Sequence, residues 1–333
     1  MQPDQPLLTI AIPTYNREQY LKALLSILEP QVLNEPRLEL ILSDNASTDG
    51  TEYLARSFVG KSAAFRYIRN ETNLGADGNI LQCFEQARGK YVWILGDDDT
   101  LLPRGLHRVL QILENNDYDL VFLTPVGYSD DIIKEFRHPK IRRPTEKTSN
   151  VLRFVRLVNR HSDLIYISSM IVNKSRINKD TTDKCYEWIG SHIVQLGWVM
   201  TALNQFRSGL FVESGIIAGR TGNSSGGFHA AKVFGENYAR AVEQWITCNP
   251  RLRSLLINDQ LLLWFPGNWM SISVNQNNIS AEDPERILTP VFGGNFRYWL
   301  LVYPLLKLPR PLAALWAQLA RIFKVISRIC YKT

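Results

Sequence analysis

Three consecutive aspartates, Asp97, Asp98 and Asp99, are the residues whose type and spacing most clearly indicate chemistry. Adjacent carboxylates repel one another, and at an effective dielectric of 20 two like charges 4 Å apart cost about 4 kcal/mol. Hard cations such as Mg²⁺ and Mn²⁺ relieve this repulsion and bridge one or two carboxylates to substrate phosphates. One aspartate could instead cap the helix predicted near Pro103, but a cap accounts for one carboxylate and not for three. The triad therefore predicts a metal and phosphate site.

Other polar clusters follow the strands predicted in the first half of the chain. The first strand ends in Pro13, Thr14, Tyr15, Asn16 and Arg17, the second in Ser43 to Gly50, and the third leads into the segment from Asn70 to Asn79, which includes Asn73. Ligands of an open α/β sheet bind outside the carboxyl ends of its strands, so these clusters should meet at one edge. Asp44 could accept hydrogen bonds from a nucleobase or ribose, whereas Ser47, Thr48 or Asp49 could simply cap the next helix. A plain loop is the alternative for Asn73.

The elements that must position these clusters alternate between β-rich runs and amphipathic helical stretches. The predicted strands are Leu7–Pro13, Leu38–Ser43, Phe65–Arg69, Tyr91–Leu95 and Asp119–Leu123. The predicted helices are Arg17–Glu29, Asp49–Phe58, Gly75–Arg88 and Pro103–Glu114. This order predicts an α/β fold with an open, mostly parallel sheet and helices on both faces.

The second half is predicted to complete the same domain. Residues 124–150 are polar and basic and predict an exposed excursion. After it, Leu164–Val172 and Gly209–Ile217 are predicted strands, and Glu187–Phe206 is predicted to be mainly helix. A Gly- and Ser-rich loop then begins near Arg220.

Charge is concentrated at the C-terminal end. Residues 287–333 contain seven Lys or Arg and no acid, so removing them from the net charge of +6 leaves about −1. A chain whose body bound nucleic acid would carry its excess on the folded domain, so no nucleic-acid partner is expected. The four cysteines have no CxxC spacing and the N-terminus has no signal-peptide pattern, which predicts a cytoplasmic protein with reduced thiols.

The C-terminal basic segment forms an amphipathic pattern over residues 311–330. One side of a helical wheel carries Arg321, Lys324 and Arg328. The other side carries Leu312, Leu315, Trp316, Leu319, Ile322, Phe323, Ile326 and Ile329. Three cations near a bilayer centre would cost about 8 to 10 kcal/mol, so a spanning helix is disfavoured. The pattern fits a helix lying flat on an anionic membrane surface, and the alternative is docking against the protein itself.

Four motifs together resemble the nucleotide-binding half of the family 2 glycosyltransferases with the GT-A fold: IAIPTYNRE, ILSDNASTDGT, NETNLGADGNI and KYVWILGDDDTLLP. Within this family, the triple aspartate resembles bacterial deoxysugar transferases of the abequosyltransferase type. The resemblance covers about residues 7–125. It implies an inverting, metal-dependent transfer of a hexose or deoxyhexose from a nucleoside diphosphate donor to an acceptor hydroxyl.

The resemblance also implies roles for individual residues. Asp44 would contact the base, with Thr14 and Tyr15 lining its pocket. The segment from Asp97 to Asp99 would hold the ribose and a Mn²⁺ or Mg²⁺ ion on the diphosphate, with Asp98 as the favoured ligand. Gly96 stands where the commoner Asp-x-Asp-Asp form has its first acid.

The catalytic base is harder to place. Similar proteins supply it from a Glu-Asp pair about 90 residues after the metal motif, and no such pair occurs in the corresponding region here. Glu187 is the first candidate, with Asp183 and His192 behind it, and the alternative is that Glu187 is a first-turn residue favoured by a helix dipole. Similar proteins also carry a cation in a mobile loop that closes on the diphosphate, which Arg220 would supply; the alternative is a surface loop.

Together these expectations predict a function for each part of the chain. Residues 1–125 would bind the nucleotide-sugar, residues 126–285 would complete the domain and bind the acceptor, and residues 286–333 would attach the enzyme to the inner face of the cell membrane. The expected acceptor is a lipid-linked oligosaccharide of surface polysaccharide assembly, of the O-antigen type. The alternatives are a nucleotidyltransferase, although no Gly-rich phosphate loop follows the first strand, and an inactive, membrane-associated sugar-binding subunit.

Overall fold

The computed structural model of the 333-residue chain describes residues 5–33, 35–62, 64–128, 145–158, 161–213, 215–220, 228–268 and 282–330. Its contacts divide the chain into two compact units. The first comprises Met1–Val158 and Leu164–Asn223, and the second comprises Asn159–Asp163 and Ser224–Thr333. The division by function into residues 1–125, 126–285 and 286–333 stays a prediction.

The first unit alternates strands and helices through its first 123 residues. Its strands are β1 Leu8–Thr14, β2 Leu38–Asp44, β3 Phe65–Arg69, β4 Tyr91–Ile94, β5 Thr100–Leu101, β6 Leu120–Leu123, β7 Val126–Tyr128, β8 Glu146–Thr148, β9 Met170–Asn173, β10 Gly209–Val212 and β11 Ile217–Arg220. Its helices are α1 Glu18–Val32, α2 Thr51–Val59, α3 Gly75–Gln86, α4 Gly105–Glu114, α5 Val151–Val158, α6 Lys179–Cys185 and α7 Leu196–Asn204.

Eight strands form the main sheet in the order β3-β2-β1-β4-β9-β6-β10-β8. The pairs of β1 with β2 and β4, of β2 with β3, and of β6 with β10 are parallel. The prediction of an open, mostly parallel sheet is therefore confirmed. Thr14 of β1 is in register with Asp44 of β2, and Asp44 is in register with Arg69 of β3, so the ends of these strands lie side by side.

Helices cover both faces of this sheet, as the alternation of side chains requires. Leu8, Ile10 and Ile12 of β1 belong to the core cluster that also contains the apolar faces of α1 and α4. Toward the opposite face, Phe84 of α3 stacks on Trp198 of α7 with ring centroids 4.2 Å apart. The polar side chains of this unit's site lie at the carboxyl ends of the central strands, between these two layers of helices.

Three predictions for the second half of this unit are wrong in detail. Leu164–Val172 is not one strand, because two short 3-10 turns precede β9, which runs antiparallel to β4 and β6. Glu187–Phe206 is not one helix, because Gly190 and His192 adopt positive φ of 93° and 64° and α7 begins only at Leu196. The run from Gly209 divides into β10 and β11, and β11 joins β5 and β7 in a separate sheet.

The predicted excursion at residues 124–150 is partly regular. β7 and β8 lie at its two ends, β7 beside β11 and β8 beside β10. Residues 129–144 lie outside the described residues, and the predicted exposure of that stretch stays a prediction.

The second unit is helical in its described part. Its α-helices are α8 Tyr238–Trp245, α9 Pro250–Asp259, α10 Phe265–Gly267, α11 Pro284–Phe292, α12 Tyr303–Lys307 and α13 Arg310–Cys330, with π-helical turns at Lys232–Asn237, Gln260–Trp264 and Tyr298–Val302. Asn249 caps α9 by accepting from the Leu252 amide at 2.9 Å. No helix within the described ranges is both long and apolar enough to cross a bilayer.

The predicted C-terminal helix exists, and its first half has two apolar faces. Its alanine face, Ala313, Ala317 and Ala320, is buried within the unit. The Trp316 Nε1 donates to the Leu300 carbonyl at 3.1 Å, so this ring also packs inward. Its leucine stripe, Leu312, Leu315 and Leu319, is 51%, 54% and 43% exposed. Docking within the protein and an outward apolar stripe therefore coexist on one helix.

Candidate functional site

The carboxyl ends of β1 and β4 bring together residues that lie 80 positions apart in the chain. The Thr14 hydroxyl donates to Oδ2 of Asp97 at 2.8 Å. Arg17 Nη1 lies 2.8 Å from Oδ1 of Asp97 and 3.2 Å from Oδ2 of Asp98. One guanidinium therefore bridges two of the three aspartates and supplies the positive partner that their repulsion demands.

The three aspartates differ in their surroundings. Asp97 is buried, and burial raises its pKa to about 6 although Arg17 and Thr14 act in the opposite direction. Asp99 is also buried, and burial raises its pKa to about 7 against the hydrogen bond that Ser168 donates to its Oδ2. The Asp98 side chain keeps 25% of its surface exposed. Asp98 is thus the carboxylate of the triad best placed to meet a ligand from solvent.

The surroundings of the triad bear on two of its possible roles. The following helix, α4, begins at Gly105, so the residue at its cap position is Arg104, with φ 61° and no capping bond from its side chain, and not an aspartate. The carboxylate of Asp99 is turned inward onto Ser168, and its role as a metal ligand stays a prediction. The favoured ligand remains Asp98.

Gly96 packs closely against two carboxylates of the triad. A Cβ atom at Gly96 would lie 2.8 Å from Oδ2 of Asp99 and 3.2 Å from Oδ1 of Asp98. The Gly96 amide donates to Ser168 Oγ at 2.9 Å, and the Asp99 amide donates to the Gly96 carbonyl at 3.2 Å, which closes a tight turn. A side chain at position 96 would therefore require these carboxylate ends to shift, and the glycine in place of the motif's first acid fits this packing.

Asp44 is fully buried at the end of β2. Its Oδ1 accepts from the Ser47 amide at 2.9 Å, and its Oδ2 accepts from the Tyr67 hydroxyl at 2.7 Å and from Arg69 Nη1 at 2.8 Å. These three bonds leave about one further acceptor position on the carboxylate, and because Asp44 is fully buried a nucleobase would reach it only if surrounding groups moved. The predicted contact with a base stays a prediction. In this structure Asp44 joins the loop that follows β2 to two side chains of β3.

The predicted asparagines join the loops at this edge. Asn16, with φ 52°, accepts from the Thr48 amide at 2.7 Å, and Asn73 accepts from Asn45 Nδ2 at 2.7 Å. Asn79 is buried and accepts from the Ser43 hydroxyl at 2.6 Å. These three residues therefore link neighbouring segments, whereas Tyr15 is 42% exposed beside them.

The candidate bases lie on a segment that Asp77 anchors. Asp77 is buried in the first turn of α3, and its Oδ2 accepts from the amides of Gly190 at 2.8 Å and His192 at 2.7 Å. Its Oδ1 accepts from the Val194 amide at 3.3 Å. One carboxylate thus fixes a stretch of backbone with two left-handed residues.

All three predicted bases, Glu187, Asp183 and His192, are exposed. Glu187 lies in the short 3-10 turn Tyr186–Trp188, so its interpretation as a first-turn residue of a long helix is wrong. Among the described contacts, none joins Glu187 or Asp183 directly to the aspartate triad. The choice of base stays a prediction.

Arg220 ends β11, and its side chain and the loop of residues 221–227 lie outside what the structure describes. Its neighbour Gly219 faces the triad. A Cβ atom there would lie 2.5 Å from Tyr166 Oη and 3.4 Å from Oδ1 of Asp99. The backbone of β11 therefore passes close to the triad just before the predicted loop.

The donor set fits a cation that binds together with its substrate. Within the described ranges, no three acidic, histidine or cysteine side chains form a metal cage. Mg²⁺ and Mn²⁺ bound to substrate phosphates need only one or two protein carboxylates, and the phosphates and waters supply the remaining oxygens. Asp98, flanked by Asp97, meets that requirement.

Comparison with known proteins agrees with this geometry. The model of the family described as "Glycosyl transferase family 2" matches residues 9–175, about half of the chain. This chain belongs to glycosyltransferase family 2. The matched range contains β1 to β4, the triad and Ser168.

Two relatives of this family 2 glycosyltransferase have informative names. Abequosyltransferase RfbV of Salmonella typhimurium is 32% identical over 208 residues, which are 60% of this chain and 61% of that protein. The GalNAc(5)-diNAcBac-PP-undecaprenol beta-1,3-glucosyltransferase of Campylobacter jejuni is 23% identical over 221 residues, 66% of this chain and 70% of that one. The chain thus spans about three fifths of the length of RfbV.

A solved structure shows the same fold. The TarS fragment 1–349 of S. aureus in complex with UDP-GlcNAc superposes with a TM-score of 0.63 at 16% identity, covering 86% of this chain and 80% of that one. At this identity the likeness concerns the fold alone. The predicted GT-A fold of this family 2 glycosyltransferase is confirmed.

Three residues of the site were given no role from the sequence. Arg17 is one of the polar residues expected at this edge, and its position directly after a strand end, beside an acidic cluster, was an available signal for its ion pairs. The sequence around Asp77 shows only that an acid lies in the first turn of a helix, where acids are generally favourable. Ser168 is separated from Asp99 by 69 positions, and nothing local to its sequence marks it.

Proposed function

We propose that this chain is an inverting glycosyltransferase that moves a hexose or deoxyhexose from a nucleoside diphosphate to an acceptor hydroxyl with Mn²⁺ or Mg²⁺. The observation that carries the proposal is the partly exposed Asp98 at the carboxyl edge of the sheet, beside Arg17 and two buried carboxylates. Membership of family 2 supports the reaction class.

For the proposed sugar transfer, the protein has to position the substrates and to stabilise the charge of the leaving group. A cation on the diphosphate stabilises the charge that grows on the leaving group as the glycosidic bond breaks. Asp98 would hold that cation, and Asp97 with Thr14 would keep the end of β4 in place. An inverting displacement needs one further group, a base for the acceptor hydroxyl, for which Glu187, Asp183 and His192 are the candidates.

The proposed acceptor is a lipid-linked saccharide of surface polysaccharide assembly. The name of the Campylobacter jejuni relative describes transfer to an undecaprenol-linked saccharide, and that of the Salmonella typhimurium relative describes a deoxysugar transferase. Such an acceptor would lie at a membrane, which agrees with a surface on the second unit.

That surface combines exposed apolar side chains with positive charge. The leucine stripe lies on α13. Three more apolar side chains are exposed on the segment before this helix: Phe296, Trp299 and Leu300. The hydrogen bond from Trp316 to the Leu300 carbonyl connects that segment to α13. Residues 287–333 contain seven Lys or Arg and no acid. Apolar groups with basic neighbours suit the headgroup boundary of anionic lipids, so we propose peripheral attachment at the inner face of the cell membrane.

Nucleotide binding provides the direct test of the proposed function. A nucleoside diphosphate at 100 times its Kd stabilises the folded state by about 2.7 kcal/mol, which corresponds to a rise of several degrees in Tm. We expect at least one of UDP, GDP, CDP and dTDP to produce this rise in differential scanning fluorimetry, and Mn²⁺ to enlarge it. No shift with any of the four, with or without Mn²⁺, would overturn the proposal.

Membrane attachment is tested by replacing the leucine stripe with serine in full-length protein. The alanine face stays intact, so the variant should fold, while liposome binding should weaken at least about 10-fold because three half-exposed apolar side chains are lost. Flotation with vesicles of phosphatidylcholine and phosphatidylglycerol measures the change. The control is Tyr53→Ser, which removes an 82% exposed aromatic from α2 of the first unit. Equal flotation of both variants would contradict the attachment.

A further inference from the structure

Arg17 does more than neutralise two acids, because its place is the one that a bound metal ion would need. We propose that Arg17 is an internal cation that occupies the metal position in the nucleotide-free enzyme and moves to the diphosphate when the donor binds. The inference rests on the proposed function and adds to it a rule for the order in which metal and donor bind.

The geometry of the bridge carries the inference. A single nitrogen, Arg17 Nη1, lies within 3.2 Å of one oxygen on each of Asp97 and Asp98. A divalent ion held by Asp98 beside Asp97 would bring a second positive charge next to this nitrogen. The nitrogen and the ion would not share this place, since like charges at such separations repel strongly.

The two acids differ in their exposure. Asp97 accepts from Thr14 Oγ1 at 2.8 Å, and it lies in the buried end of the site. Asp98 keeps 25% of its side-chain surface exposed, and Arg17 Nη1 lies 3.2 Å from its Oδ2. Withdrawal of the guanidinium would therefore leave Asp97 with the Thr14 donor and give a ligand from solvent access to the Asp98 oxygen that Arg17 now contacts.

The Arg17 side chain lies at the rim of the site, where a strand end meets a helix. It precedes α1, keeps 23% of its side-chain surface exposed, and its guanidinium lies 5.1 Å from the centre of the Tyr20 ring. The strand end itself is held by the neighbouring Asn16, which bonds to Ser47 and Thr48 of the loop after β2. A move of the Arg17 side chain would thus leave the strand end fixed.

A diphosphate gives the guanidinium an equivalent partner. Guanidinium groups bind phosphate oxygens through two parallel hydrogen bonds, so Arg17 exchanges one pair of anionic oxygens for another. The carboxylate that it releases is then available to the ion that arrives with the donor. Metal and nucleotide therefore favour each other's binding, and this coupling must be reciprocal.

The test measures Mn²⁺ binding without any nucleotide, from the electron paramagnetic resonance signal of the free ion. Arg17→Gln should bind Mn²⁺ at least about 10-fold more tightly than the wild type, because the competing cation is gone. Arg17→Lys, which retains a positive charge, should stay within about 3-fold of the wild type. The matched control is Arg37→Gln, which removes the same charge from the opposite end of the sheet, where Arg37 pairs with Glu35.

Each outcome decides the inference. It is overturned if Arg17→Gln binds Mn²⁺ no more tightly than Arg37→Gln, or if adding Asp98→Asn to Arg17→Gln leaves the tighter binding intact. If Arg17→Gln folds but is too unstable for the titration, a larger rise in its Tm with Mn²⁺ than that of the wild type supports the inference, and no larger rise overturns it. A nucleotide-dependent rise in Tm without the Mn²⁺ effect would refute the role of Arg17 and leave the donor site supported. The Mn²⁺ effect without nucleotide binding would support Arg17 as the cation that competes with Mn²⁺, and would refute both the donor site and the move of Arg17 to the diphosphate.

Discussion

Replacing Asp98 with alanine is expected to lower kcat for sugar transfer at least about 100-fold, with little change in Tm. Removing one preorganised electrostatic group from an active site typically costs 10²- to 10³-fold in rate. Asp98 is the partly exposed acid of the triad, so its carboxylate is placed to meet a ligand and should contribute little to packing. Steady-state transfer from the donor identified by fluorimetry measures the loss, and a Mn²⁺ titration should show weakened metal dependence.

Asp99→Ala provides the contrast for this prediction. Asp99 is buried and bonded to Ser168, so its removal should lower the free energy of unfolding as well as the rate. The two variants therefore separate a ligand-facing acid from a structural one. Full activity with unchanged metal dependence in Asp98→Ala would show that the central assignment is wrong.

Replacing Asp77 with alanine is expected to lower the free energy of unfolding by about 3 kcal/mol and kcat at least about 10-fold. The amides of Gly190, His192 and Val194 lose their shared acceptor. A buried amide left unsatisfied, as at Val194, costs about 1–3 kcal/mol, and water restores part of the loss at the exposed residues Gly190 and His192. The segment with the candidate bases would then lose its position relative to α3. Urea denaturation and transfer kinetics on the same preparation measure the two effects.

Asp180→Ala is the control for Asp77, because it removes the same charge from an exposed position in the first turn of α6. It should change stability by about 1 kcal/mol or less. Asp77→Asn keeps one acceptor oxygen and should fall between the wild type and the alanine variant. If Asp77→Ala matched Asp180→Ala in both stability and rate, the anchoring role would be refuted.

The first half of the fold was predictable because its signals are local. Apolar runs that end in polar residues place β1 to β4 within one residue of their observed ends, and the same edge collects the predicted clusters. A positive partner for the aspartate triad could also be predicted, because three adjacent carboxylates repel one another.

What the sequence did not predict depends on distant partners. Asp99 turns inward because of Ser168, 69 positions later, and Asp77 acts on amides 113 to 117 positions away. The segment after Glu187 is not a helix because two residues adopt left-handed conformations that Asp77 stabilises. On α13, the helical wheel found one apolar face, but small alanines form the docking face and leucines form the exposed one.

Gly96 also has a consequence for how this active site can change over generations. A Cβ atom at this position would lie 2.8 Å from Oδ2 of Asp99, so an acid in place of Gly96 would require the Asp99 carboxylate to shift at its bond with Ser168. The two positions are in direct contact, so the effects of their substitutions should be strongly non-additive. An acid at position 96 should therefore be tolerated best together with a change at position 99.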